Sequence, residues 1–196
     1  MPDRLARALA AIDAANAEDP NRIRVRGDEQ PKELAHAEMV TEWVRRLRPE
    51  ASEELLLAAR AHHIRRWVIP RSSYPEGRAG YFAWRRKLHE VHAAEVGRIL
   101  EAEGYDAAAV TRVQQIVRKE NLARDPEVQA LEDALCLVFL EIQFHDVAAR
   151  LDRAKMVDVT RKTLRKMSPR ARELASAMEL GAEDRAIIEQ ALEGKA

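Results

Sequence analysis

Apolar residues recur along the chain at intervals of three and four, and no stretch shows a sustained alternation of apolar and polar positions. Leu34, Met39, Val40, Trp43, Val44 and Leu47 predict an amphipathic helix over 31–48, opened by Pro31 in its first turn and stopped by Pro49. A shorter amphipathic helix is expected over 3–16, followed by a polar loop over 21–30 around Gly27-Asp28. Ser52 with Glu53 and Glu54 opens a third helix, which runs through Leu55, Leu56, Ala58 and Ala59 to His62-His63-Ile64. The breaker-rich segment 70–80 reads as a loop before a long helix over 81–103 that ends at Gly104. Asp106 caps a helix over about 107–120. Asp125-Pro126 starts the most apolar helix, 127–144, whose stretch from Ala134 to Leu140 is apolar all round and predicts burial. Charged helices over 147–167 and 169–194 complete an all-α fold: a single helical domain of about eight helices without strands.

Composition narrows the classes of partner. The 196 residues carry 33 basic and 33 acidic side chains, so no global field draws the chain to nucleic acid or anionic lipid. No run of 18 apolar residues is present, and the charged, amphipathic N-terminus does not read as a secretory leader. The lone Cys136 excludes an intramolecular disulfide and fits a reducing compartment, so a cytoplasmic location is expected. Association between copies of the chain is left open.

The histidines change the picture most. Five of the six fall between positions 36 and 92, on or beside apolar helix faces. His36, His62, His63, His89 and His92, with Glu120, Glu132 and Asp133, are the candidate metal-binding or proton-moving groups. A solitary histidine on such a face is more often a hydrogen-bonded core residue. The adjacent pair His62-His63 is less ordinary, since at least one of the two must point inward. Asp133, an ionisable group on the most apolar helix, requires a partner, which a metal or an arginine could supply.

The string Ala61-His62-His63-Ile64-Arg65-Arg66 resembles the His-Asp segment of the HD superfamily of metal-dependent phosphohydrolases. The resemblance extends over about 33–142 and implies an HD-like helical core there, with 147–194 as a C-terminal helical extension. It implies a metal site of His36, His62, His63 and Asp133, in which His36 matches the first histidine ligand and Glu132-Asp133-Ala134-Leu135 the late aspartate. Two departures follow: His63 stands where the family has aspartate, and Glu120 where it has a middle-region histidine. Imidazole adds no negative charge and does not bridge two ions as carboxylate does. The set therefore favours a single divalent transition metal (Mn, Fe, Ni or Zn) over Mg²⁺. Over its full length the chain also resembles an uncharacterised conserved domain family of bacteria and fungi, which implies a fold and no substrate.

A local charge excess hides inside the neutral total. Between positions 60 and 87 lie Arg60, Arg65, Arg66, Arg71, Arg78, Arg85, Arg86 and Lys87, opposed only by Glu76. Arginine binds phosphate in a bidentate manner, so Arg65, Arg66, Arg71, Arg86 and Lys87 are expected to hold a small anionic or phosphorylated ligand. Pairing of several of them with acids on neighbouring helices is the competing expectation. At least two of the rings in Tyr81-Phe82-Ala83-Trp84 are expected in the core. Glu120 and His92 are the candidate proton-transfer groups. The combined reading is a metal-dependent hydrolase of a small phosphorylated molecule, such as a nucleotide. The alternatives are an HD-like iron oxidase or oxygenase, and a non-catalytic module that binds metal or anions.

Overall fold

The computed structural model describes residues 3–193. The chain falls into two compact units, Met1–Leu131 and Glu132–Ala196. The first contains α1 (Arg4–Ala17), β1 (Arg22–Val25), β2 (Asp28–Pro31), α2 (Lys32–Leu47), α3 (Glu53–Ala61), α4 (Gly77–Ala102) and α5 (Ala107–Arg118). Helix α6 (Pro126–Ile142) begins in the first unit and runs into the second, which continues with α7 (Phe144–Ala148), α8 (Arg153–Lys166), α9 (Pro169–Ser176) and α10 (Ala182–Glu193). Among the described residues the fold is all-α apart from one two-stranded hairpin.

Helix starts follow the capping chemistry written in the sequence. Asp3, Ser52, Asp106, Asp152 and Ser168 each accept a backbone N–H of their own first turn. In the first unit α4 packs along α5, and α3 lies against α1, α2 and α5. The α4–α5 crossing is close at Gly97, where a Cβ would meet Gln114 Nε2 at 2.4 Å. Gln114 lies across this crossing and donates to the Ala93 carbonyl at 3.0 Å. Ile12, Val40, Val44, Leu55, Leu57, Ile64, Leu88, Val96, Leu100, Val113 and Ile116 fill the core of this unit. In the second unit α8 packs on α10, and α7 contacts both.

The hairpin corrects the strand-free expectation. Arg22–Val25 pairs antiparallel with Asp28–Pro31, joined by Arg26 and Gly27 at φ 53° and 96°. Positive φ at both loop residues marks the tight turn whose twist suits a hairpin. Only Val25 of the eight strand residues is buried, so no apolar alternation announces the pair. Other boundaries also shift. Helix α3 stops at Ala61, ahead of the histidine pair, and α4 begins at Gly77 rather than 81. The expected 147–167 helix is α7 and α8, and 169–194 is α9 and α10. Tyr81 and Phe82 are exposed, leaving Trp84 as the core ring of that segment. Trp84 donates its Nε1 hydrogen to the Ile69 carbonyl at 2.9 Å.

Candidate metal centre

Three segments of the first unit bring histidines together. The buried Asp19 fixes the start of α2: its carboxylate accepts the backbone N–H of Asn21 at 2.9 Å and of Glu33 at 3.0 Å. This sets Glu33 and His36, one turn apart, on the inward face of α2, where both are buried. After α3 the chain makes a tight turn, with Ile64 N bonded to the Ala61 carbonyl and Arg66 N to that of His63. Arg65 takes a left-handed conformation, φ 52° and ψ 32°, and reverses the chain directly behind the histidine pair. Its guanidinium pairs with Glu18 at 2.9 Å and with Glu95 on α4 at 3.2 Å. From α4, His92 enters at 1% exposure.

The rings cluster around His63. Its centroid lies 4.2 Å from that of His62, 5.9 Å from His92 and 6.3 Å from His36. Glu33, His36 and His63 each offer one donor atom within 4.8 Å of the others. Glu33 Oε2 is 3.2 Å from His63 Nδ1 and 3.7 Å from His36 Nδ1. The His63 Nδ1 hydrogen is thus donated to the carboxylate, and its Nε2 accepts from Arg66 Nη1 at 3.2 Å.

His62 and His92 are held differently. His62 donates its Nδ1 hydrogen to the Ala59 carbonyl at 2.8 Å, and His92 does the same to Ile64 at 2.7 Å. A carbonyl only accepts, so each ring is the tautomer with its lone pair on Nε2. Both Nε2 atoms are buried and have no hydrogen-bond partner.

Desolvation keeps these imidazoles neutral. Burial drives the pKa of His62 and His63 well below the ordinary histidine range, with like charges adding to it. His92 is lowered to about 4, by burial first and against the effect of its Ile64 hydrogen bond. His36 is lowered by burial, although Glu33 opposes the shift. Burial in turn raises Glu33 above the usual carboxylate range. Neutral imidazoles with fixed tautomers and one carboxylate are a donor set for a divalent ion that needs no prior deprotonation of histidine.

The remaining candidates fall elsewhere. Asp133 belongs to the second unit, where its Oδ1 accepts the backbone N–H of Ser168 at 2.8 Å. The polar contact that its burial demanded is with the start of α9, and the carboxylate beside the histidines is that of Glu33. Glu132 pairs with Lys166 at 3.5 Å. Glu120, the expected base, is exposed and 3.6 Å from Arg118. His89 is half-buried, and His145 pairs with Asp184 at 3.2 Å in the second unit. Of the anion-binding candidates, Arg65 serves Glu18 and Glu95, as noted. Arg71 donates to the Tyr74 and Pro75 carbonyls at 2.9 Å each, which gives it a loop-tying role in place of the expected ligand contact. Arg86 and Lys87 are exposed on α4. Arg66 borders the cluster directly, 4.7 Å above the Trp84 ring and 4.0 Å from Glu33. Glu33 was not among the expected site residues; its position three residues before His36 puts the two on one face of α2, and packing buries it there.

The first unit is thus a helical domain built around an inward cluster of imidazoles and one carboxylate. A family model described as a domain of unknown function (DUF4202) matches residues 6–188, and the chain belongs to that family. No curated protein and no solved structure matches the chain.

Proposed function

We propose that Glu33, His36 and His63 of the first unit hold a divalent transition ion, with His62 and His92 packed beside His63, and that the chain is a metal-dependent hydrolase of a small phosphorylated molecule. The observation that carries the metal half is the convergence of one donor atom each from Glu33, His36 and His63 within 4.8 Å of one another. The buried, unpartnered Nε2 atoms of His62 and His92 beside it add to this, since each forfeits about 1–3 kcal/mol of hydrogen bonding. The Nδ1 bonds to Ala59 and Ile64 fix the two rings that flank His63.

The hydrolase half rests on the resemblance of the His62-His63 segment to the HD superfamily and on the cations at the rim. Arg66 and Arg85 lie near enough to repel each other, and the exposed Tyr81 and Phe82 stand beside them on α4. A bound ion would supply Lewis acidity towards a phosphoryl oxygen and a water of lowered pKa. The chain itself would orient the anion through Arg66, and the neutral imidazoles would exclude competing positive charge from the interior.

Metal analysis of tag-free protein, with melting curves after addition of Mn²⁺, Fe²⁺, Ni²⁺ or Zn²⁺, tests the centre. Bound ion at about one per chain, or a metal-dependent rise in Tm, is expected. Neither result with any of the four ions would refute it. Phosphate release from a panel of phosphomonoesters and nucleotides by the loaded protein tests the reaction.

One observation favours a second reading, an iron oxidase or oxygenase. A single carboxylate with several imidazoles is also the donor chemistry of non-haem iron. A visible absorbance band on anaerobic Fe²⁺ loading followed by oxygen, without phosphatase activity, would select it.

A further inference from the structure

Among the described residues, the exposed large apolar side chains are Val68, Tyr81 and Phe82. All three belong to one end of α4: Tyr81 and Phe82 to its second turn, Val68 to the segment that Trp84 ties to the helix through the Ile69 carbonyl. Arg78, Tyr81, Phe82 and Arg85 stand at i, i+3, i+4 and i+7, which puts cations and rings on one helix face. No acidic residue occurs between Glu76 and Glu90, and among the described residues Arg78, Arg85 and Arg86 make no ion pair. The rings are open rather than capped. Where arginine closes a ring elsewhere in the chain, Arg4 lies 4.1 Å from the Tyr105 centroid and Arg46 4.3 Å from that of Trp43. Here Arg78 stands off at 5.4 Å from Phe82, and Arg85 at 5.9 Å from Tyr81. The two rings meet edge to face at 5.8 Å and keep 41% and 53% of their surface exposed.

Charge and shape together select the occupant. A single strand of nucleic acid carries one planar base and one negative charge per residue, and so matches open rings flanked by unpaired guanidiniums. A second copy of the chain does not, because a two-fold contact would set these guanidiniums against their own equivalents. A helix lying in a lipid surface separates its cations from its apolar side chains, whereas here they share a face. We propose that this face of α4 binds single-stranded nucleic acid, with bases stacked on Tyr81 and Phe82 and phosphates held by Arg78, Arg85 and Arg86. The balanced total charge gives the chain no global field, so the attraction is local to this face. The binding face is independent of the metal reading. A duplex, whose bases already stack on one another, leaves the rings unused.

Fluorescence anisotropy of a labelled oligouridylate of about 12 nucleotides, titrated with full-length protein in EDTA, tests the assignment. The strand should bind, and its affinity should fall with salt along a log–log slope of about −2, as three phosphate contacts require. Tyr81→Ala and Phe82→Ala remove exposed rings and leave the core intact, and each should weaken binding about tenfold. Arg78→Gln should flatten the salt slope by about 0.7. An RNA duplex of the same length should bind about tenfold more weakly. Parental affinity in both ring variants overturns the stacking and with it the proposal, as does inorganic polyphosphate that competes, charge for charge, as well as the strand. Absence of strand binding in EDTA also overturns it, whether or not vesicles of phosphatidylglycerol and phosphatidylcholine bind, and leaves the metal reading untouched.

Discussion

His92 and Ile64 are joined by a hydrogen bond of 2.7 Å, from the ring Nδ1 to the main-chain carbonyl. It ties the middle of α4 to the turn that carries His62 and His63, and it leaves the His92 Nε2 lone pair in the interior. His92→Ala should therefore weaken Ni²⁺ or Zn²⁺ binding by ~10-fold or more, as expected when a neighbour that supports the donor set is lost. His145→Ala, on an exposed ring of the second unit, should leave affinity unchanged. Isothermal titration of both variants checks the pair.

Glu33 supplies the only carboxylate of the cluster, and it also orients His63. Glu33→Gln keeps the shape and removes the charge. Metal affinity should fall by about tenfold or more, with the circular dichroism spectrum of the parent retained. An affinity equal to the parent's would remove Glu33 from the donor set.

Asp133 should behave as a structural residue. Asp133→Ala strips the Ser168 N–H of its acceptor at the start of α9, which should cost about 1–3 kcal/mol in urea unfolding. Metal content per folded chain should match the parent's. Loss of metal without loss of stability would return Asp133 to the centre.

The acid limb of stability should depend on Arg112. This side chain clamps Asp125 at 2.5 and 3.0 Å and Glu127 at 2.6 Å, and the Asp125 pKa falls to about 2, with the Arg112 hydrogen bond as the main cause. A carboxyl lowered on folding stabilises fully above its unfolded value near 4, and the gain disappears as the pH falls through 2. Allowing for solvent screening, the contribution is about 1 kcal/mol. In Arg112→Gln, urea midpoints should drop at pH 7 and converge on the parent's near pH 2.

The first turn of α4 is set by contact with the loop before it. A Cβ at Gly80 would stand 1.9 Å from the Pro75 carbonyl oxygen. Arg71 holds that oxygen at 2.9 Å, so the loop cannot yield without losing its tie. Gly80→Ala should destabilise the protein by about 2 kcal/mol, read as a lowered Tm, although alanine is the better helix former elsewhere.

Helices were legible in the sequence where a cap and a period coincide: Ser52 before Leu55, Asp106 before Val110, Ser168-Pro169 before Ala171. The hairpin was not, because its strands are charged and its register comes from backbone geometry at Arg26 and Gly27 rather than from a buried face. In the cluster, His36, His62, His63 and His92 were legible as histidines on or next to apolar helix faces. Glu33 was not, since a glutamate in a first helical turn is ordinary and only the packing around α2 shows that this one is buried. Asp133 misled for the opposite reason. Its burial was readable, but a backbone N–H 35 residues away answers it.

Arg65 has a consequence for how the site should respond to its surroundings. A non-glycine residue at φ 52° holds strain of order 1 kcal/mol, and here two ion pairs, to Glu18 and Glu95, keep it in place. Those pairs reach solvent and weaken as electrolyte is added. The histidine turn is therefore fastened by charge and not by apolar contact alone, which makes ionic strength a dial on the rigidity of the cluster.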